Sequence, residues 1–124
     1  MFASRRGPRA VLAWLHTQPP EARPRLVIDA DGLNLLAREP DWPALLPPET
    51  ILTPHPGELG RLAGLDTAQV MRDRLGLARA RAAAWSCVLV AKGAPSVVAA
   101  SDGRTAIIPI ATPALATAGT GDVL

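Results

Sequence analysis

Three short apolar runs, residues 25–30, 50–53 and 86–91, each follow a segment of helical spacing or a proline-rich connection, and each runs directly into polar or turn-forming residues. Runs this short and this apolar suit strands buried on both faces, as in a parallel sheet whose crossovers are helices. Residues 96–101 and 105–110 add two β-rich stretches around Asp102-Gly103-Arg104, a strong hairpin signal. The order helix, strand, helix, strand, helix, strand, hairpin, loop and helix start predicts an α/β fold, mainly parallel, with an antiparallel edge.

The helical segments carry their own punctuation. Residues 10–18 read as a short helix through Val11, Leu12, Trp14 and Leu15, stopped by Pro19-Pro20. Asp31 is expected to cap a helix carrying Leu33, Leu35 and Leu36, although Asp31 and Asn34 read equally well as functional groups. The proline-rich span 40–48 is expected to be a loop. From Asp66 or Thr67 one long helix is expected to reach about Trp85, with Val70, Leu75, Leu77, Ala78 and Ala82 inward and Arg72, Arg74, Arg79 and Arg81 mainly in solvent. Cys87, in the third apolar run, is expected to be a small buried hydrophobe, and a single cysteine allows no intramolecular disulfide.

Composition removes several classes of function. With 124 residues, 48% hydrophobic and 19% charged, the chain can bury a core but has no apolar run long enough for a membrane span. A formal charge of +2, with dispersed arginines, gives no footprint for nucleic acid. The apolar stretch at residues 10–15 is too short for a secretory signal, so a cytoplasmic location is the expectation.

Open α/β sheets bind ligands beyond the carboxyl ends of their strands, where Asp29, Asp31 and Asn34 are expected. After the second strand comes Pro54-His55-Pro56-Gly57-Glu58, whose two prolines fix the backbone around His55. Taken alone, His55 also reads as a plain surface residue. Glu58 is favoured in a first helical turn by the macrodipole, or serves to organise a magnesium ion through water. Lys92, the one lysine among thirteen basic residues, opens the turn Lys92-Gly93-Ala94-Pro95-Ser96 and reads either as a specific charge or as chance retention. The chain closes on Gly119-Thr120-Gly121-Asp122, where two glycines let the backbone bend close to a ligand. Free amides at a helix start there would form an anion site, and Asp122 beside it suits a base acting on a hydroxyl.

Taken together and in this order, residues 27–34, 52–58, 92–94 and 115–124 strongly resemble the NAD(P)H-hydrate dehydratase family, within the ribokinase-like superfamily. The resemblance covers about residues 10–124. It implies a partial ribokinase-like αβα sandwich, the C-terminal portion of a single domain lacking its N-terminal part and final helices. The Gly-Pro-Gly-Leu-Gly loop of the family is expected where this chain has residues 1–9. Thr112 and Ala114 stand where the family favours asparagine and glycine, and Pro95 replaces a common glycine.

The activity implied is dehydration of hydrated NADH or NADPH, driven by ADP or ATP with magnesium, through phosphorylation of the ring hydroxyl and elimination. By the same resemblance Asp122 is the base, Gly119, Thr120 and Gly121 form the anion hole, and Gly121 touches the nucleotide. His55 contacts the hydrated cofactor, Glu58 takes the place of the magnesium-associated glutamate, and Lys92, Gly93, Ala94, Pro95 and Ser96 bind nucleotide. An NAD(P)H-hydrate epimerase, fused or separate, and a homo-oligomer complete the implied partners. The alternatives are another ribokinase-like small-molecule kinase, which tends to have asparagine where His55 stands, and a non-catalytic nucleotide-binding fragment.

Overall fold

A computed structural model describes residues 7–109. Its five strands are β1 (Val27–Ile28), β2 (Ile51–Leu52), β3 (Val88–Ala91), β4 (Ser96–Ala99) and β5 (Thr105–Ile108), in that spatial order. β1, β2 and β3 are parallel, with Ile28 beside Leu52 and Leu52 beside Leu89. β4 and β5 continue antiparallel, as the hairpin signal predicts, with Leu89 opposite Ala99 and Val97 opposite Ile107.

Six α-helices accompany the sheet: α1 (Gly7–Thr17), α2 (Ala30–Ala37), α3 (Trp42–Leu45), α4 (Pro56–Ala63), α5 (Thr67–Arg72) and α6 (Arg74–Trp85). One core joins Leu12 and Leu15 of α1, Leu33 and Leu36 of α2, and Leu59 and Leu62 of α4 to Ile28, Leu52 and Leu89 of the strands. α6 buries Ala78, Ala82 and Trp85, a stripe at helical spacing whose small residues let the helix lie close over β3 and β4. Trp85 meets Trp42 edge-on at a centroid distance of 4.6 Å, and the Arg81 guanidinium lies over its ring. Cys87 is buried as expected, and burial pushes its thiol up to about 12, so it stays protonated and unreactive.

Four expectations are corrected. The long helix is two: Asp73 leaves helical geometry at φ −154° and its carboxylate accepts the Gly76 amide at 2.9 Å, starting a new helix. Asp66 caps only the first of them, in a reciprocal capping box with Gln69. Leu75 is consequently exposed rather than inward, while Arg74 and Arg81 are half-buried rather than free in solvent. The span 40–48 contains α3, because Pro43 fits the first turn of a helix. Finally, Asp31 is not a cap: α2 begins at Ala30, and Asp29 holds the capping position.

Gly60 is fixed by packing. A Cβ there would stand 2.6 Å from the Leu65 carbonyl oxygen, a backbone atom, in the bend where the Leu65 amide donates a hydrogen bond to the Gly60 carbonyl. Gly60→Ala is expected to destabilise the protein by about 1–3 kcal/mol, since this overpacking exceeds the helix-propensity gain of about 1 kcal/mol. Equilibrium urea unfolding measures it.

Candidate active site

The parallel strands bring their carboxyl ends level. The Thr53 amide donates to the Ile28 carbonyl at 3.2 Å, and the Lys92 amide to the Pro54 carbonyl at 2.9 Å. Asp29, His55 and Lys92 therefore emerge along one edge of the sheet, as reasoned for an open α/β fold. A cleft lined by Arg25, Glu49, Ser86, Cys87 and Asp102 lies at the opposite, amino-terminal edge of the parallel strands.

Asp29 sits at the capping position of α2 but makes no side-chain cap. Its Oδ1 instead accepts from Lys92 Nζ at 2.9 Å, across 63 residues of sequence. The chain turns abruptly here: Ala30 is at φ 45°, a left-handed conformation that costs a residue with a Cβ roughly 1–2 kcal/mol. Burial by itself would push the Asp29 carboxyl up. The hydrogen bonds from Lys92, Thr53 and the Ala30 backbone, with the ammonium charge, outweigh it and hold the group below its ordinary 3.8. A carboxylate depressed on folding stabilises the fold above its unfolded value, and this support is lost as pH falls through the folded value. In a carboxyl NMR titration the Asp29 midpoint is expected below 3.8, moving upward in Lys92→Met.

His55 and Glu58 lock together at the start of α4. His55 Nδ1 accepts from the Glu58 amide at 3.2 Å, and Glu58 Oε1 accepts from the His55 amide at 3.0 Å, a capping box with an imidazole as the cap. Because Nδ1 is an acceptor, the neutral ring is assigned its proton on Nε2. The result is an anchored ring whose outer edge faces solvent: the His55 side chain is 53% exposed, that of Glu58 only 6%. His55→Asn keeps a capping acceptor and is expected to hold stability within about 0.5 kcal/mol, whereas His55→Ala costs about 0.5–2 kcal/mol. Denaturant midpoints of the two variants check this.

No group of three or more His, Cys, Asp or Glu among the described residues could hold a metal ion. Glu58 Oε1 is committed to the His55 amide, while Oε2 stands 3.6 Å from His55 Nε2 without a hydrogen bond among the described residues. The carboxylate is therefore chiefly a partner in the capping box.

After β3, Ser96 Oγ accepts from the Gly93 amide at 3.2 Å and donates to the Gly93 carbonyl at 3.0 Å, closing the turn around Ala94 and a cis Pro95. Asp31 is exposed in the first turn of α2, and Asn34 accepts from Arg61 Nη1 at 2.7 Å, so neither belongs to the Asp29–Lys92 pair. Gly119, Thr120, Gly121 and Asp122 lie outside the described residues. Two features escaped the sequence reading: the Asp29–Lys92 pair, hinted at only by a strand-end aspartate and the single lysine, and the placement of Arg74 against Gly93.

Comparison with known proteins identifies the family. The sequence profile described as NAD(P)H-hydrate dehydratase matches residues 8–124. The bifunctional NAD(P)H-hydrate repair enzyme Nnr of Salinibacter ruber is 54% identical over 108 residues, 80% of this chain and 18% of the relative. That of Moorella thermoacetica is 44% identical over 85% of this chain and 20% of the relative. The chain therefore spans about a fifth of the length of these curated relatives. The ADP/ATP-dependent NAD(P)H-hydrate dehydratase of Bacillus subtilis, co-crystallised with ATP/Mg2+ and soaked with CoA, superposes with a TM-score of 0.61 at 36% identity, over 79% of this chain and 34% of the other. A ribokinase-like superfamily protein of Enterococcus faecalis shares the fold, with a TM-score of 0.63 at 24% identity over 92% of this chain and 38% of the other. Profile, relatives and fold agree, and the chain belongs to the NAD(P)H-hydrate dehydratase family.

Proposed function

We propose that this chain contributes the strand-end edge of a site that uses ADP or ATP to dehydrate hydrated NADH or NADPH. The observation that carries the reading is the alignment of three parallel strand ends. It puts an anchored, solvent-facing imidazole beside a fixed lysine and a closed glycine turn. His55 meets the hydrated nicotinamide, and Lys92, Gly93, Ala94, Pro95 and Ser96 hold the nucleotide. The amides of Gly119, Thr120 and Gly121 receive the phosphoryl group in transit, with Gly121 also against the nucleotide.

Asp122 takes the proton of the ring hydroxyl as that oxygen bonds to the terminal phosphorus and the phosphorus–oxygen bond to the leaving nucleotide breaks. The ring carbon–oxygen bond then breaks, inorganic phosphate leaves, and loss of a ring proton restores the dihydronicotinamide. Such transfers depend chiefly on positioning and charge stabilisation, which a preformed edge can provide. Magnesium, bound with the nucleotide, would neutralise phosphate charge, with Glu58 reaching it through water.

The relatives are described as bifunctional repair enzymes, and an NAD(P)H-hydrate epimerase, fused or separate, and a cytoplasmic homo-oligomer are part of the proposal. Among the described residues no helix is long and apolar enough to cross a membrane. Incubation of hydrated NADH with the intact protein and either ADP or ATP tests the reading. NADH absorbance should return only with nucleotide, with one phosphate released per NADH. Nucleotide binding without any return of NADH would favour a non-catalytic role.

A further inference from the structure

Arg74 opens α6, the helix that leads into β3, and lies level with the strand's carboxyl end beside Gly93. Its guanidinium lies directly against Gly93. A Cβ at position 93 would overlap Nη1 and Cζ, so the absence of a side chain there makes room for the cation. Nη1 is buried and has no hydrogen-bond partner among the described residues, although Arg74 as a whole is only half-buried and is reached from solvent. A covered guanidinium N–H without an acceptor is an unfavourable arrangement that an incoming oxygen would relieve.

The neighbouring groups are already engaged. The Asp73 carboxylate caps the Gly76 amide at 2.9 Å, and the Gly93 carbonyl accepts the Ser96 hydroxyl at 3.0 Å. Lys92, the more obvious cation of the turn, is matched by Asp29 at 2.9 Å. None of the ion pairs among the described residues includes Arg74. Among the described residues the turn is therefore flanked by two positive groups, of which one is compensated and the other is not.

We propose that Arg74, behind Gly93, recognises the nucleotide's diphosphate at this turn, in addition to the nucleotide contacts of residues 92–96, where the Lys92 charge is already matched by Asp29. The inference rests on the nucleotide reading above and adds a residue to it. A planar guanidinium presents paired donors that match phosphate oxygens. Its contribution depends on the ligand's charge and disappears for a nucleoside without phosphates.

Calorimetric titration of the intact protein with ADP and with adenosine separates this from a role in merely propping the turn. Arg74→Gln should weaken ADP roughly 10- to 100-fold, the range for a lost hydrogen bond to a charged group, and leave adenosine within about threefold. Arg74→Lys, which keeps the charge without the fork, should fall between. Gly93→Ala should reproduce the Arg74→Gln pattern, because the added methyl displaces the guanidinium. Equal loss of ADP and adenosine, or unchanged ADP affinity in Arg74→Gln, would overturn the assignment and leave the nucleotide site intact. A parent protein that binds no ADP would instead remove the nucleotide reading itself.

Discussion

Asp122→Asn is expected to slow the recovery of NADH from its hydrate by about 10²–10⁴-fold, the usual contribution of a positioned general base. Asparagine keeps the size of the side chain and can still accept a hydrogen bond through its carbonyl, but it is far too weak a base to collect the hydroxyl proton. The nucleotide contacts proposed for the turn at residues 92–96 are remote in sequence from position 122, and the one proposed for Gly121 is not removed by a side-chain change at its neighbour, so ADP affinity should survive within about threefold. Single-turnover measurement of phosphoryl transfer, beside ADP titration, distinguishes the two effects. Retention of most activity would remove Asp122 from the role of base.

Leu89→Ala is expected to cost about 2–5 kcal/mol of stability. Leu89 is fully buried in β3, beside Leu52 on one strand and opposite Ala99 on the other. Its neighbours are fixed by the ladders on both sides and cannot move far enough to fill the void, so loss of buried area is joined by a residual cavity. Denaturant unfolding should show a lower midpoint with little change in slope. A loss under 1 kcal/mol would mean that the centre of the sheet relaxes around the gap, contrary to the packing described.

The succession of strands and the mainly parallel sheet with an antiparallel edge were legible from the three apolar runs and from Asp102-Gly103-Arg104, but burial of the first run on both faces was not borne out: Val27 of β1 is exposed and only Ile28 is buried. The break at Asp73 was not legible. An aspartate on a solvent-facing helix and an aspartate capping a new helix look alike in sequence until its backbone is seen at φ −154°. The short helix at residues 42–45 was hidden by the prolines around it, which suggest a loop but also fit a first helical turn. Proline-fixed His55, first-turn Glu58 and the single lysine were singled out because each narrows the local chemistry, and the structure places them at the same carboxyl edge of the sheet. The pairing of Asp29 with Lys92 depends on tertiary approach over 63 residues, and Arg74 was one of four similar arginines on an expected long helix. Local periodicity carries neither fact.

The central claim is that the carboxyl edge of the parallel strands is where nucleotide binds. Hydrogen–deuterium exchange of the intact protein with and without ADP tests it most directly. The account predicts slowed exchange centred on residues 92–96, extending to 55–58 when hydrated cofactor is added. Protection confined to the opposite edge, around Arg25, Glu49 and Ser86, with exchange at residues 92–96 unchanged under saturating ADP, would contradict it.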